Sequence, residues 1–169
     1  MLYVHDPRCK ILVMIALKIK DIKKFMNLLF ASENLDDCFL EEATIRTFAD
    51  FSIDGHFNPS FFGDEADDIE KTELIRWKMV RPSCLSLIRG HNTPLYMKFV
   101  FHYDIDTLPE LPDRDNVKAL LFMVQFRAGE LTITTGSSQK TFSLDKDADH
   151  YWDDHLRERI ISAGIGFDE

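Results

Sequence analysis

Glycine and proline are scarce in this chain, at 7 and 6 of 169 residues. That excludes collagen-like and low-complexity disordered chains. Cysteine is scarcer still. Cys9, Cys38 and Cys84 are an odd set, 29 and 46 positions apart, and fit neither a disulfide framework nor a paired-cysteine zinc pattern. Reduced thiols in a cytoplasm are expected. Cys38 and Cys84 have apolar neighbours, where a thiol serves as a small hydrophobe. No apolar run approaches the roughly 18 residues that a membrane span needs, so no membrane partner is expected. The first residues, MLYVHDPRCKILV, lack the apolar centre and small-residue cleavage site of a signal peptide. Met14 opens MIALKIKDIKKF, which reads as a natural start. Residues 1–13 are therefore expected to be an upstream extension, 14–163 a single domain and 164–169 a C-terminal tail.

What is present suits a packed core. Hydrophobic residues make up 45% and charged residues 29%, with 14 phenylalanines. This is enough apolar surface for one domain to offset the entropy of ordering its chain. The formal net charge of −9 favours solubility and argues against a surface that is basic throughout.

Periodicity supplies the elements. LVMIALKI, residues 12–19, is a β-branched and aliphatic run and predicts a strand. Ile22, Phe25, Met26, Leu29 and Phe30 recur at helical spacing, so a helix is expected over about 21–31, with Asp21 at its positive end. Residues 39–54 alternate as two short strands broken near Ala49-Asp50, and Asp54-Gly55 signals a turn. Six acids between Asp64 and Glu73 predict a solvated loop. A helix from about 72, with Trp77 inward and Gly90 as its stop, meets Pro82, where a kink or a break into two helices is expected. Residues 94–103 alternate, with Leu95, Met97, Phe99, Phe101 and Tyr103 on one face. Residues 117–127 are apolar on both faces, as in a central strand. Arg127-Ala128-Gly129-Glu130 predicts a hairpin turn into 131–135, Gly136-Ser137-Ser138 another turn, and 139–144 a last short strand. Ser143 or Asp145 is expected to cap a helix over 147–162, ended by Gly164. The order β-α-β-β-α-β-β-β-β-α, with hairpin connections in its second half, predicts an α+β fold. Its sheet is expected to be mostly antiparallel, with about six strands and the helices on one face.

Chemical signatures are few. Neither GxGxxG nor GxxxxGK[ST] occurs, and Thr134–Lys140 resembles a phosphate loop in composition alone. His150 and Asp154 share a helix face, but one histidine and one carboxylate do not make a zinc site without ligands from afar. His102 lies on a strand beside Tyr96, Lys98 and Val100. Asp104 and Asp106 form a strand-end step that could either bind Mg²⁺ or simply end the strand. No catalytic, metal-binding or cofactor-binding residue emerges. The cations, in contrast, cluster. Lys20, Lys23 and Lys24 sit at the first helix, and Arg76, Lys78 and Arg81 on the second helical segment. A shared face would present a positive surface able to meet phosphate backbones.

The segments MIALKIKDIKKFM, ATIRTFADFSIDG, WKMVRPSCLSLIRGHNTPLYMKFVF and GELTITTGSSQKTFSLDKDADHYWDD together resemble an uncharacterised family of small cytoplasmic proteins from Clostridia-type Gram-positive bacteria. The resemblance runs from Met14 to about Ile161. It implies a bacterial cytoplasmic setting and brings no functional residues with it. The element order is also similar to one domain of the DNA sliding clamps, which implies basic helices facing DNA. The expected function is a non-catalytic intracellular binding or interaction module, with a protein partner or a second copy of the chain. The alternatives are a nucleic-acid-associated protein using the basic face, and a metal-dependent hydrolase using Asp104, Asp106 or His150.

Overall fold

A computed structural model describes residues 3–6, 9–68 and 72–169. Its strands are β1 (Tyr3–Asp6), β2 (Cys9–Ile19), β3 (Phe39–Arg46), β4 (Asp50–Asp54), β5 (Ile75–Arg76), β6 (Tyr96–His102), β7 (Val117–Arg127), β8 (Glu130–Gln139) and β9 (Phe167–Asp168). The helices are α1 (Ile22–Phe30), α2 (Trp77–Ile88) and α3 (Asp147–Ser162). The strands form one sheet in the order β1-β2-β8-β7-β6-β3-β4, with β5 beside β3 and β9 beside β2. Every pairing is antiparallel. The fold is α+β, with nine strands where the sequence suggests about six. Two of the additional strands, β5 and β9, have only two residues each.

One face of the sheet carries the core. Met97, Phe99 and Phe101 of β6 stand in register with Phe126, Val124 and Phe122 of β7, and all six are buried. The helices cover this face through two fully buried tryptophans. Trp77 of α2 meets Phe101 edge-on at 5.1 Å, and its Nε1 donates to the Leu29 carbonyl at the end of α1 at 2.9 Å. Trp152 of α3 donates to the Leu121 carbonyl of β7, also at 2.9 Å. Each indole thus buries a large apolar area while its one polar atom finds a partner. The capping of α1 is local: the Asp21 carboxylate accepts from the Lys24 amide at 2.9 Å, worth about 1 kcal/mol.

Several sequence expectations are corrected. Helix α2 is one helix through Pro82. The ring sits on the exposed side, and buried Trp77 and Cys84 hold the two halves to the same core. Its first turn starts at Trp77 because Ile75–Arg76 is drawn into the sheet beside Phe39–Leu40. Gly136-Ser137-Ser138 is no turn, and no separate strand occupies 139–144. β8 runs on to Gln139, because its inward Thr135 and Ser137 hydroxyls find carboxylates on α3. The C-terminal residues 164–169 include β9, which pairs with Lys18 and Ile19. Residues 1–13 contain β1 and the first part of β2, which leaves the choice of start residue as it was expected; Met1, Leu2, Pro7 and Arg8 lie outside the described residues. The turn between β7 and β8 is as expected: Ala128 and Gly129 have φ of +51° and +79°, the two-residue turn that follows the twist of a hairpin.

Candidate functional site

The six cations of the expected basic face lie on or beside α1 and α2, which touch through Trp77 and Leu29. Three of the six have a carboxylate partner. Lys20 pairs with Asp168 at 2.7 Å. Arg76 pairs with Asp104 at 3.4 Å, donates to the Asp37 carbonyl and lies over the Phe39 ring. Arg81 pairs with Asp36 at 2.8 Å. Lys24 donates to the Gly164 carbonyl at 2.7 Å, tying α1 to the end of α3. Lys23 and Lys78 point into solvent.

The acidic candidates are similarly engaged. Asp104 ends β6 by accepting from the Asp106 amide, and Asp106 pairs with Arg114 at 2.6 Å. His150 is exposed on α3, and Asp154 pairs with Arg157. Among the described residues, no three histidine, cysteine or acidic side chains are placed to hold a metal.

Two concavities are notable among the described residues. The larger, of about 890 Å³, opens on the sheet face away from the helices. Several of its ionisable groups have a charged or titratable partner. His102 contacts Glu41, His56 contacts Asp54 at 2.6 Å, and Asp104 holds Arg76. The Asp54 hydrogen bond raises the His56 pKa above its ordinary value.

The smaller cleft, of about 410 Å³, lies between α1 and α3 over the end of β6. Phe25 and Leu28 of α1, Phe122 and Ile133 of the sheet, and Leu156 and Ile160 of α3 line it. Three polar side chains converge on it. Arg159 Nη1 donates to the Tyr103 hydroxyl at 2.6 Å, and its Nη2 donates to the Asn34 carbonyl. The guanidinium also lies 5.4 Å from the centre of the Tyr103 ring. Tyr103 in turn lies 3.2 Å from His155 Nε2. Burial first, and the Arg159 charge second, lower the His155 pKa below its ordinary 6.5, so the ring is neutral at pH 7. In the tautomer protonated at Nδ1, Nε2 accepts the phenolic proton while the phenolic oxygen accepts from Arg159. The His155 ring is held against Trp152 and Tyr151, with centroids at 5.9 and 6.2 Å. An apolar recess with a few fixed polar groups at one side is the usual form of a small-molecule site.

Sequence reasoning did not single out this trio. His155 and Arg159 are four residues apart on α3 and therefore share a face, which was a legible signal. Tyr103 reads as one more aromatic on the inward face of β6. Only the packing of α3 over the end of that strand brings the three together.

Among the described residues, no helix is long and apolar enough to cross a membrane. No curated protein and no solved structure matches the chain. Residues 28–168 match a family of unknown function, DUF5721. That span holds α2, α3, the last three residues of α1, the sheet from β3 onward and every residue of the Tyr103–His155–Arg159 cluster. The chain belongs to the DUF5721 family.

Proposed function

We propose that this protein is a non-catalytic intracellular binding module whose ligand occupies the cleft between α1 and α3. The observation that carries the reading is the convergence of Tyr103, His155 and Arg159 on a recess lined by buried apolar side chains. A nucleophile activated by a base is not needed for this arrangement to work. The trio orients, and the apolar walls supply the affinity. A cytoplasmic setting is supported by the thiols of Cys38 and Cys84, which are free and buried. The nucleic-acid reading ranks below this one, because Lys20, Arg76 and Arg81 already have carboxylate partners.

The test uses Nile red, a neutral apolar dye, with the full chain. Wild-type protein is expected to raise its fluorescence saturably. Leu28→Trp, which fills the cleft from the half-buried side of α1, is expected to abolish that rise while leaving the circular dichroism unchanged. A folded Leu28→Trp protein that binds the dye like wild type would refute the site, and so would the absence of any saturable signal.

A further inference from the structure

Resting on the cleft as a binding site, we infer that its ligand carries one carboxylate, which docks on Arg159 while its apolar remainder enters the recess. Five described arginines are half-buried, Arg76, Arg81, Arg114, Arg157 and Arg159, and of these Arg114 pairs with Asp106 and Arg157 with Asp154 and Glu169. Arg76 is opposed by Asp104 and Arg81 by Asp36. Arg159 has no carboxylate within ion-pair distance among the described residues. Its hydrogen bonds go to neutral oxygens, the Tyr103 hydroxyl and the Asn34 carbonyl. A partly desolvated guanidinium without an anion forgoes much of the stabilisation that its burial calls for.

Geometry and charge narrow the anion. Two of the five guanidinium N–H groups are used in these two bonds, and the planar fork suits a carboxylate. Tyr103 and Asn34 hold the fork in place in advance, which lowers the entropy lost on binding. Glu158 also lines the cleft, and His155 is neutral there. Arg159 is the one cation among these three groups and Glu158 already lies near it, so a singly charged carboxylate meets less repulsion than a doubly charged phosphate. The recess beyond is walled by Phe25, Leu28, Leu156 and Ile160. The ligand class is thus an amphipathic monocarboxylate, with an acyl or aryl body behind its acid group.

Displacement of Nile red by decanoate, decanol and decyl phosphate tests this. Decanoate is expected to bind wild-type protein about tenfold or more tightly than decanol, and more tightly than decyl phosphate. Arg159→Gln is expected to bring the decanoate-to-decanol ratio close to one, and Arg159→Lys to restore only part of it. Failure of all three probes to compete would overturn the binding-site reading together with this inference. Equal competition by decanoate and decanol, a preference for decyl phosphate, or a preference for decanoate that survives Arg159→Gln would overturn the carboxylate alone. Should Arg159→Gln not fold, the wild-type ratios still test the carboxylate preference, and an undiminished preference in Arg159→Lys would overturn the role of the guanidinium.

Discussion

The hydroxyl of Thr135 on β8 donates to the carboxylate of Asp153 on α3 at 2.5 Å, with both residues buried. The same hydroxyl accepts from the Ile15 amide at 3.2 Å, where the register of β2 against β8 shifts between Val13 and Ala16. One side chain thus satisfies an amide displaced by the irregularity and anchors the helix that forms one wall of the cleft. One turn earlier on α3, Asp149 repeats the contact with Ser137 at 2.6 Å.

Burial raises the Asp153 pKa, with the Thr135 hydrogen bond and Arg157 pulling the other way. A carboxyl that binds its proton more tightly when folded makes its full contribution below its unfolded pKa. That contribution is lost as pH rises through the folded value. Wild type should therefore gain stability relative to Asp153→Asn as pH falls from 7 toward 4. Urea unfolding of the two proteins across that range measures the difference, and a difference independent of pH would contradict the assignment.

Thr135→Val should cost about 1–3 kcal/mol, because it strands a buried carboxylate and the Ile15 amide together. Urea denaturation of Thr135→Val and Thr135→Ser separates the hydroxyl from the methyl group. The serine variant should keep most of the stability.

Each tryptophan should weigh heavily on stability. Trp77→Ala and Trp152→Ala are each expected to cost about 3–5 kcal/mol. Trp77→Phe should cost less, leaving the Leu29 carbonyl without its donor. Both indoles are fully buried, so native fluorescence should be blue-shifted and should move to the red on unfolding. The same signal reports the midpoint for each variant.

Two glycine substitutions should differ sharply. A Cβ at Gly55 would stand 1.8 Å from the Leu40 carbonyl oxygen, where Gly55 also donates to the Glu41 carbonyl. Gly55→Ala must displace backbone at the junction of β3, β4 and β5, and should exceed the roughly 1–3 kcal/mol of ordinary overpacking. Gly129→Ala meets no neighbouring atom and has only its φ of +79° against it, a strain of about 1–2 kcal/mol. Thermal melts of the two variants should rank them in that order.

Burial pushes the thiols of Cys38 and Cys84 up to about 12. Neither should react with iodoacetamide at pH 8 in the native protein, since the thiolate is the nucleophile. Peptide mapping after labelling should find both unmodified until denaturant is added. Rapid native labelling of either would show that the core around it opens.

The periodic elements were legible in the sequence because local spacing dictates them. The bounds 117–127 and 147–162 read from the sequence coincide with β7 and α3. The apolar alternation of β6 and the Asp21 cap likewise depend on neighbours a few residues away. What the tertiary structure alone decided involves partners far apart in the chain. The Gly136-Ser137-Ser138 stretch looks like a turn, and becomes strand where β2 and β7 pair with it and Asp149 and Asp153 accept from the Ser137 and Thr135 hydroxyls. Of the six clustered cations, Lys20, Arg76 and Arg81 meet carboxylates that other segments bring, Asp168, Asp104 and Asp36. The cleft is of the same kind. Tyr103 and Arg159 are 56 residues apart, and only the packing of α3 across the end of β6 makes a tyrosine, a histidine and an arginine one site.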